Sequence, residues 1–260
     1  MKDYRISVII PTFNSSATIK RAIDSVLSQT VLPIEIIIID DCSSDQTTLL
    51  IHEASKNNTT EVNFIVLKND TNRGPSFTRN RGLSHSSGNW IAFLDSDDFW
   101  HFQKLEVQIQ ISVKSGTNFI GSQSSIRTND RTDFRFQSSQ YKLISPGDML
   151  WKNYFQTPTV LIKKTDDLIF NEKMTHAEDF DLWMRMVHKH ERACLVTLPL
   201  TYLGKEPYLS SGLSHNLFKM EKGELSVLKR EKNIFLREAA VLFSILKFLR
   251  RLLRVKLYRP

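Results

Sequence analysis

Asn89-Trp90-Ile91-Ala92-Phe93-Leu94-Asp95-Ser96-Asp97-Asp98 is an apolar run that ends abruptly in carboxylates, with Gly88 just ahead of it. The run reads as a buried strand, Trp90 to Leu94, and the acids stand where that strand emerges. Asp95, Asp97 and Asp98 repel one another at this spacing, so folding alone does not favour them there. A divalent cation with oxygen ligands would offset the repulsion and could hold a phosphorylated substrate. A solvated acidic turn capping the next helix is the plain alternative, and the neighbouring segments weigh between the two.

Working outward, strands and helices alternate. Ile6 to Ile10 is an apolar run closed by Pro11-Thr12-Phe13-Asn14. Ile19, Ala22, Ile23, Val26 and Leu27 then recur at the spacing of one helical face. Ile34 to Ile39 is apolar except for Glu35, as expected of a strand covered on both faces. Asp40-Asp41-Cys42-Ser43-Ser44-Asp45 ends it and offers N-cap candidates for a following helix. Val62 to Leu67 is a third strand, and Asn72-Arg73-Gly74-Pro75 is a turn that starts a helix through about His85. This alternation predicts an α/β fold with a mainly parallel sheet and right-handed crossovers.

Beyond residue 100 the alternation weakens. A helix is expected over His101 to Lys114, a polar irregular segment over Asp133 to Ser139, a strand over Pro158 to Ile162 and a helix over Glu178 to His190. The acidic and polar clusters fall at the carboxyl ends of the predicted strands, the rim where open parallel sheets bind ligands. Each cluster alone reads equally well as a turn or cap; their joint placement on one rim is harder to explain that way. Neither a Gly-x-Gly-x-x-Gly loop nor a P-loop is present, which disfavours a dehydrogenase or an ATPase.

The 260 residues, 41% hydrophobic and 24% charged, suit a globular protein with one good core. The first apolar segment is too short for a signal peptide and no run is long enough to cross a bilayer, so the expected location is cytoplasmic. Cys42 and Cys194 lack metal or redox spacing and read as reduced bystanders. The net charge of +7 is lopsided: Lys247, Arg250, Arg251, Arg254, Lys256 and Arg259 are six basic residues in an acid-free tail, leaving about +1 for the rest.

Taken in order, five strings resemble glycosyltransferase family 2, the inverting sugar-nucleotide transferases of the GT-A (nucleotide-diphospho-sugar transferase) fold. They are Val8-Ile9-Ile10-Pro11-Thr12-Phe13-Asn14, Ile39-Asp40-Asp41-Cys42-Ser43-Ser44-Asp45, Asn72-Arg73-Gly74 with Arg79-Asn80, Phe93-Leu94-Asp95-Ser96-Asp97-Asp98, and Glu178-Asp179-Phe180-Asp181-Leu182-Trp183. Two departures are Cys42, where Gly is common, and Phe77-Thr78 ahead of Arg79, where small residues are usual. The resemblance implies that Pro11, Thr12, Phe13, Asn14, Asp41, Arg79, Asp95, Ser96 and Asp97 bind the nucleotide-sugar. Thr12 and Phe13 would line the base pocket, Asp41 would accept the uracil N–H, Arg79 would lie near the diphosphate and Asp95 near the ribose. Asp97, with Asp98, would hold Mn2+ or Mg2+.

Asp179 is the implied general base, with Glu178 beside it, because an acceptor hydroxyl attacking an anomeric carbon must lose a proton. A purely structural alternative is that these acids favour the N-terminus of their own helix. Trp183 reads as core or as acceptor wall. His215 reads as an exposed loop residue or as the C-terminal metal ligand of some GT-A enzymes.

The domain reading is residues 1–215 as the transferase, with a nucleotide half over 1–100 and an acceptor half over 101–215, followed by a helical basic extension over 216–260. Lys247, Arg250, Arg251 and Arg254 form one helical stripe, opposite Leu242, Ile245, Leu246, Leu249, Leu252 and Leu253. This pattern suits a helix lying in an anionic membrane interface, or one packed on the domain with a solvated basic face. No nucleic-acid recognition motif accompanies it.

The expected activity is therefore transfer from a UDP-sugar, UDP-galactose first among the candidates, to a lipid-linked (undecaprenyl-pyrophosphate) glycan in bacterial O-antigen or capsule synthesis, at the inner face of the plasma membrane. A nucleotidyltransferase and a non-catalytic nucleotide-sugar or membrane-binding module are the alternatives.

Overall fold

A computed structural model describes residues 4–126, 140–204 and 216–258, with side chains through Leu253. Strands β1 (Ile6–Thr12), β2 (Glu35–Asp40), β3 (Asn63–Lys68) and β4 (Trp90–Phe93) pair in parallel in the order β3-β2-β1-β4. Between them run α1 (Ile19–Leu27), α2 (Thr47–Lys56) and α3 (Gly74–His85). The second half adds β5 (Phe99–Trp100), α4 (Lys104–Ser115), β6 (Phe119–Ser125), β7 (Tyr141–Ile144), α5 (Pro146–Met149), a 3-10 turn over Thr157–Thr159, β8 (Leu161–Lys163), α6 (Glu178–His190), β9 (Ala193–Tyr202), α7 (Leu217–Leu228) and α8 (Ile234–Tyr258).

The sheet continues past β4 as β8-β6-β9-β5, with β7 also on β9. β8 is antiparallel to both β4 and β6, and β6 is parallel to β9. The expected mainly parallel sheet is thus present: β5, β7 and β8 alone among the described strands run against the common direction.

Period-two alternation sorts the first strands onto two cores. Ile9, Ile37, Ile39, Ile91 and Phe93 face one side with α6 and Trp183. Val8, Ile10, Ile36, Ile38 and Ala92 face the other with Ile19, Ala22, Ile23 and Val26 of α1. Each fully buried aliphatic side chain contributes roughly 1.5–3 kcal/mol of transfer free energy before entropy is counted. Helix α3 reaches the sheet closely because Gly82 has no Cβ; one built there would meet Ile9 Cγ2 at 2.6 Å.

Differences from expectation lie in the second half. The strand expected over Pro158 to Ile162 is instead the 3-10 turn followed by β8, since Pro158 cannot donate to a ladder. Trp183 is fully buried against Phe93, Phe119 and Phe170, so it is core and not an acceptor wall. The segment over 133–139 and His215 lie outside the described residues.

Helices α7 and α8 pack on the body, and Val227, Leu228 and Ala240 join the same core as Trp183. The tail is oriented opposite to a solvated basic face. Arg251 Nη1 lies 3.7 Å from Glu224 Oε1, and Lys247 Nζ donates to the Trp151 carbonyl at 3.1 Å. Small residues Ala240 and Ser244 let α8 seat on α7, where the Ser244 hydroxyl donates to Glu221 at 2.9 Å. Leu242, Ile245, Leu246, Leu249 and Leu253 consequently face outward, and Arg250 is exposed beside them. The side chains of Arg254 and Lys256, and all of Arg259, lie outside the described residues.

Candidate active site

The carboxyl ends of β1, β2 and β4 bring the first, second and fourth strings to one rim. Pro11 and Thr12 are the last residues of β1 and are buried, while Phe13 beyond them is exposed. Among the described residues Thr12 Oγ1 has no hydrogen-bond partner although it is buried. Asn14 takes a positive φ of 47° and its Oδ1 accepts from the Ser44 N–H at 2.9 Å, which fixes the β1 loop against the β2 loop. Cys42 also lies in the left-handed region, at φ 67°, which explains on steric grounds why glycine is common there. The hydroxyls of Ser15 and Ser96 are 2.7 Å apart and join the β1 loop to the acidic loop.

Asp41 is more committed than the sequence suggests. Its Oδ1 accepts from Asn69 Nδ2 at 2.7 Å and from Arg73 N–H at 2.8 Å, and its Oδ2 from Gly74 N–H at 2.8 Å. The carboxylate therefore holds the start of α3, and a further donor would meet the remaining acceptor capacity of Oδ2.

In the acidic loop the three carboxylates separate by environment. Asp98 is buried, and its Oδ1 accepts the Gly204 N–H at 2.9 Å. Burial, with the negative charges of Asp95 and Asp97, pushes its carboxyl up to about 8. Asp97 is half-buried, and its main-chain oxygen accepts from Arg21 Nη2 at 2.7 Å. Gly204 is obligatory in this packing, because a Cβ there would stand 2.0 Å from the Asp97 oxygen. A hard divalent cation fits the donor chemistry of this loop, since carboxylate oxygens are the ligands such ions prefer. Among the described residues no group of three His, Cys, Asp or Glu side chains forms a complete cage, so phosphate or water oxygens would supply the other ligands.

Arg79, implied by the resemblance to lie near the diphosphate, is held at the acidic loop. Its guanidinium is 7% exposed, donates to Asp95 Oδ1 at 2.7 Å and lies 3.5 Å from Glu178 Oε1. It also lies over the Phe170 ring, 5.3 Å from its centroid. Burial alone would lower the arginine, but Asp95 and Glu178 reverse the balance and raise it. Arg79 is thereby a buried strut between the acidic loop and the N-terminus of α6.

At that N-terminus, Ala177 adopts φ 58° and Glu178 and Asp179 begin the helix. Burial and the neighbouring Glu178 raise Asp179 to about 7, partly offset by the Phe180 N–H and Arg79. Asn153 Nδ2 lies 3.4 Å from Asp179 Oδ2. A carboxylate balanced near neutrality can take a proton, whereas an ordinary helix-capping acid would titrate far lower. Asp181 is committed elsewhere, accepting from Arg185 and paired with Arg230, so it anchors α6 to the end of α7. Asn153, Arg21 and Gly204 carry no periodic or motif signal, and only their contacts reveal them.

A family model described as Glycosyl transferase family 2 matches residues 7–181. UDP-Glc:alpha-D-GlcNAc-diphosphoundecaprenol beta-1,3-glucosyltransferase WfgD of Escherichia coli is 32% identical over 229 residues, 88% of this chain and 87% of that protein. A solved structure of S. aureus TarS 1-349 with UDP-GlcNAc superposes with TM-score 0.67 at 19% identity, covering 91% of this chain and 70% of that one. The chain spans only 43% of the longer S. aureus TarS structure. The mannosyltransferase PcManGT of Pyrobaculum calidifontis, solved with GDP-Man and Mn2+, has TM-score 0.66 at 15% identity over 93% of this chain and 73% of its own.

Proposed function

Because this chain belongs to glycosyl transferase family 2 and has the GT-A fold, we propose that it carries glucose from UDP-glucose to the N-acetylglucosamine of a diphosphoundecaprenol-linked acceptor. UDP-galactose, the donor expected from sequence, gives way because the WfgD relative is named for UDP-Glc. The observation that carries the reading is the Arg79 strut, which sets the Asp179 base next to the loop holding Asp95 and Asp97.

The donor's base lies by Thr12 and Phe13, with Pro11 and Asn14 shaping the β1 end and Asp41 offering Oδ2. Asp95 and Ser96 meet the ribose side. Asp97 would hold Mn2+ or Mg2+, which neutralises charge on the departing diphosphate. Asp98, turned inward, supports that loop from behind.

Asp179 takes the proton of the acceptor hydroxyl as its oxygen bonds to the anomeric carbon. The bond from that carbon to the diphosphate breaks on the opposite face, and UDP leaves with the electron pair. The anomeric centre inverts as a result. Glu178 keeps Arg79 in place and raises the basicity of Asp179.

Among the described residues no helix is long and apolar enough to cross a membrane. The outward leucines of α8, with Arg250 beside them, suit shallow contact with an anionic leaflet and support a peripheral reading at the inner face. UDP release from UDP-glucose, with Mn2+ and a lipid-diphospho-N-acetylglucosamine, tests the reading. Release that depends on both metal and acceptor supports it; no release together with no UDP binding by calorimetry overturns it.

A further inference from the structure

A cleft of about 300 Å3 lies between the turn after α5 and helices α7 and α8. Lys152, Asn153, Phe180, Glu224, Lys247 and Arg251 line it. None of the donor-loop residues Pro11 to Asn14, Asp41 or Asp95 to Asp98 does so. Two lining residues adjoin the base: Asn153 lies 3.4 Å from Asp179, and Phe180 follows Asp179 in α6.

Three cations converge here against one lining acid, Glu224. Arg251 is paired with Glu224 and Lys247 donates to the Trp151 carbonyl, which still leaves the lining with an excess of positive charge. Burial lowers the Lys247 ammonium, with Arg251 and Lys152 adding to the effect and Glu224 and Glu221 opposing it. Glu221, behind the cleft, is itself raised by burial and by Glu224, so it supplies less counter-charge. A multiply charged anion would relieve this crowding. On the same helix, Leu246 and Leu249 turn outward next to Lys247, so an apolar chain attached to that anion has a surface to leave along.

We propose that this cleft is the subsite for the acceptor's diphosphate, with Lys152, Lys247 and Arg251 holding the phosphates. The inference rests on the transferase reading above and adds the recognition of the acceptor's charged linker.

Two matched acceptors test it: a short-alkyl diphospho-N-acetylglucosamine and the corresponding alkyl glycoside without phosphates. Lys152→Gln, at an exposed position, and Lys247→Gln are compared with the wild type for kcat/KM on each. Charge-assisted contacts of this kind predict a roughly tenfold fall in the preference for the diphospho acceptor for each variant. An unchanged preference overturns the proposal. Calorimetric titration of the alkyl diphospho sugar without donor separates the two readings. Binding that weakens in the variants supports the subsite even if no donor is turned over; equal binding in an enzyme that does turn over removes the subsite and leaves the transferase intact.

Discussion

Arg79 Nη2 donates to Asp95 Oδ1 across 2.7 Å, and through that contact α3 grips the acidic loop after β4. The same guanidinium reaches Glu178, so removing it leaves two carboxylates without their shared cation, one of them largely buried. Arg79→Met is expected to destabilise the fold by about 3 kcal/mol, the scale of breaking a buried pair. Urea denaturation measures it; a loss below about 1 kcal/mol would mean that the pair behaves like a surface contact.

The base gives a pH signature. Asp179 must be ionised to accept a proton, and its carboxyl sits at about 7 through burial and Glu178, with Asp95 adding and Arg79 opposing. Turnover per donor should rise with pH through about 7, and Asp179→Asn should abolish transfer while UDP still binds. Near-normal turnover in Asp179→Asn would sink the assignment.

The same shift has a stability sign. The folded carboxyl lies above its unfolded value, so its contribution is complete at acid pH and is lost as pH rises through about 7. Asp179→Asn should therefore be more stable than wild type at pH 8, by on the order of 2 kcal/mol, with the gap closing toward pH 4. Thermal melts at the two pH values provide the check; a gap that grows in acid would reverse the sign.

Asp97 and Asp98 should separate on substitution. Asp97→Ala is expected to remove turnover that responds to added Mn2+, with a drop of about a hundredfold or more. Asp98→Asn, which keeps an acceptor for the Gly204 N–H, should retain more of it. Equal losses would assign both carboxylates the same role.

Gly223 offers a packing test. Within α7 an alanine would ordinarily gain about 1 kcal/mol of helix propensity. A Cβ here, however, would stand 2.6 Å from the His176 backbone oxygen, just before Glu178 and Asp179. Overpacking costs about 1–3 kcal/mol and should win, so Gly223→Ala is expected to lower both Tm and kcat. A more stable, fully active variant would show that α7 does not need this approach.

On α8, Leu246→Glu with Leu249→Glu should leave the fold intact, since both side chains are exposed. Sedimentation with phosphatidylglycerol vesicles should fall roughly tenfold. Unchanged sedimentation would place the membrane contact elsewhere.

The parallel half was legible because its strands are continuous apolar runs buried on both faces, such as Ile36 to Ile39. The rest was hidden for physical reasons. β5 has two residues and β8 three, too few to show a period. β6 carries Ser122 and Gln123 where its register against β9 shifts, and Pro199 lies at that irregularity. In the site, the acidic loop and the start of α6 were readable as charge against an apolar run. Arg79 was readable as a residue but not in its direction, because its partners Asp95 and Glu178 are brought together only by tertiary packing. Lys247 and Arg251 were readable as a stripe, yet which way the stripe faces depends on Ala240 and Ser244 beneath it.

The pairing of β5 with β9 has a consequence for the order in which the molecule is made. Trp100 waits for Thr201, about a hundred residues later in synthesis, whereas β1 to β4 find all their parallel partners within the first 93 residues. The first four strands can assemble early, leaving β4 with an open edge until β8 emerges. Such distant pairings are slow to form, and an unpaired edge invites strangers. The nascent chain is thus most exposed to misassembly while its second half is still on the ribosome, and the two-residue length of β5 keeps that waiting strand a poor template.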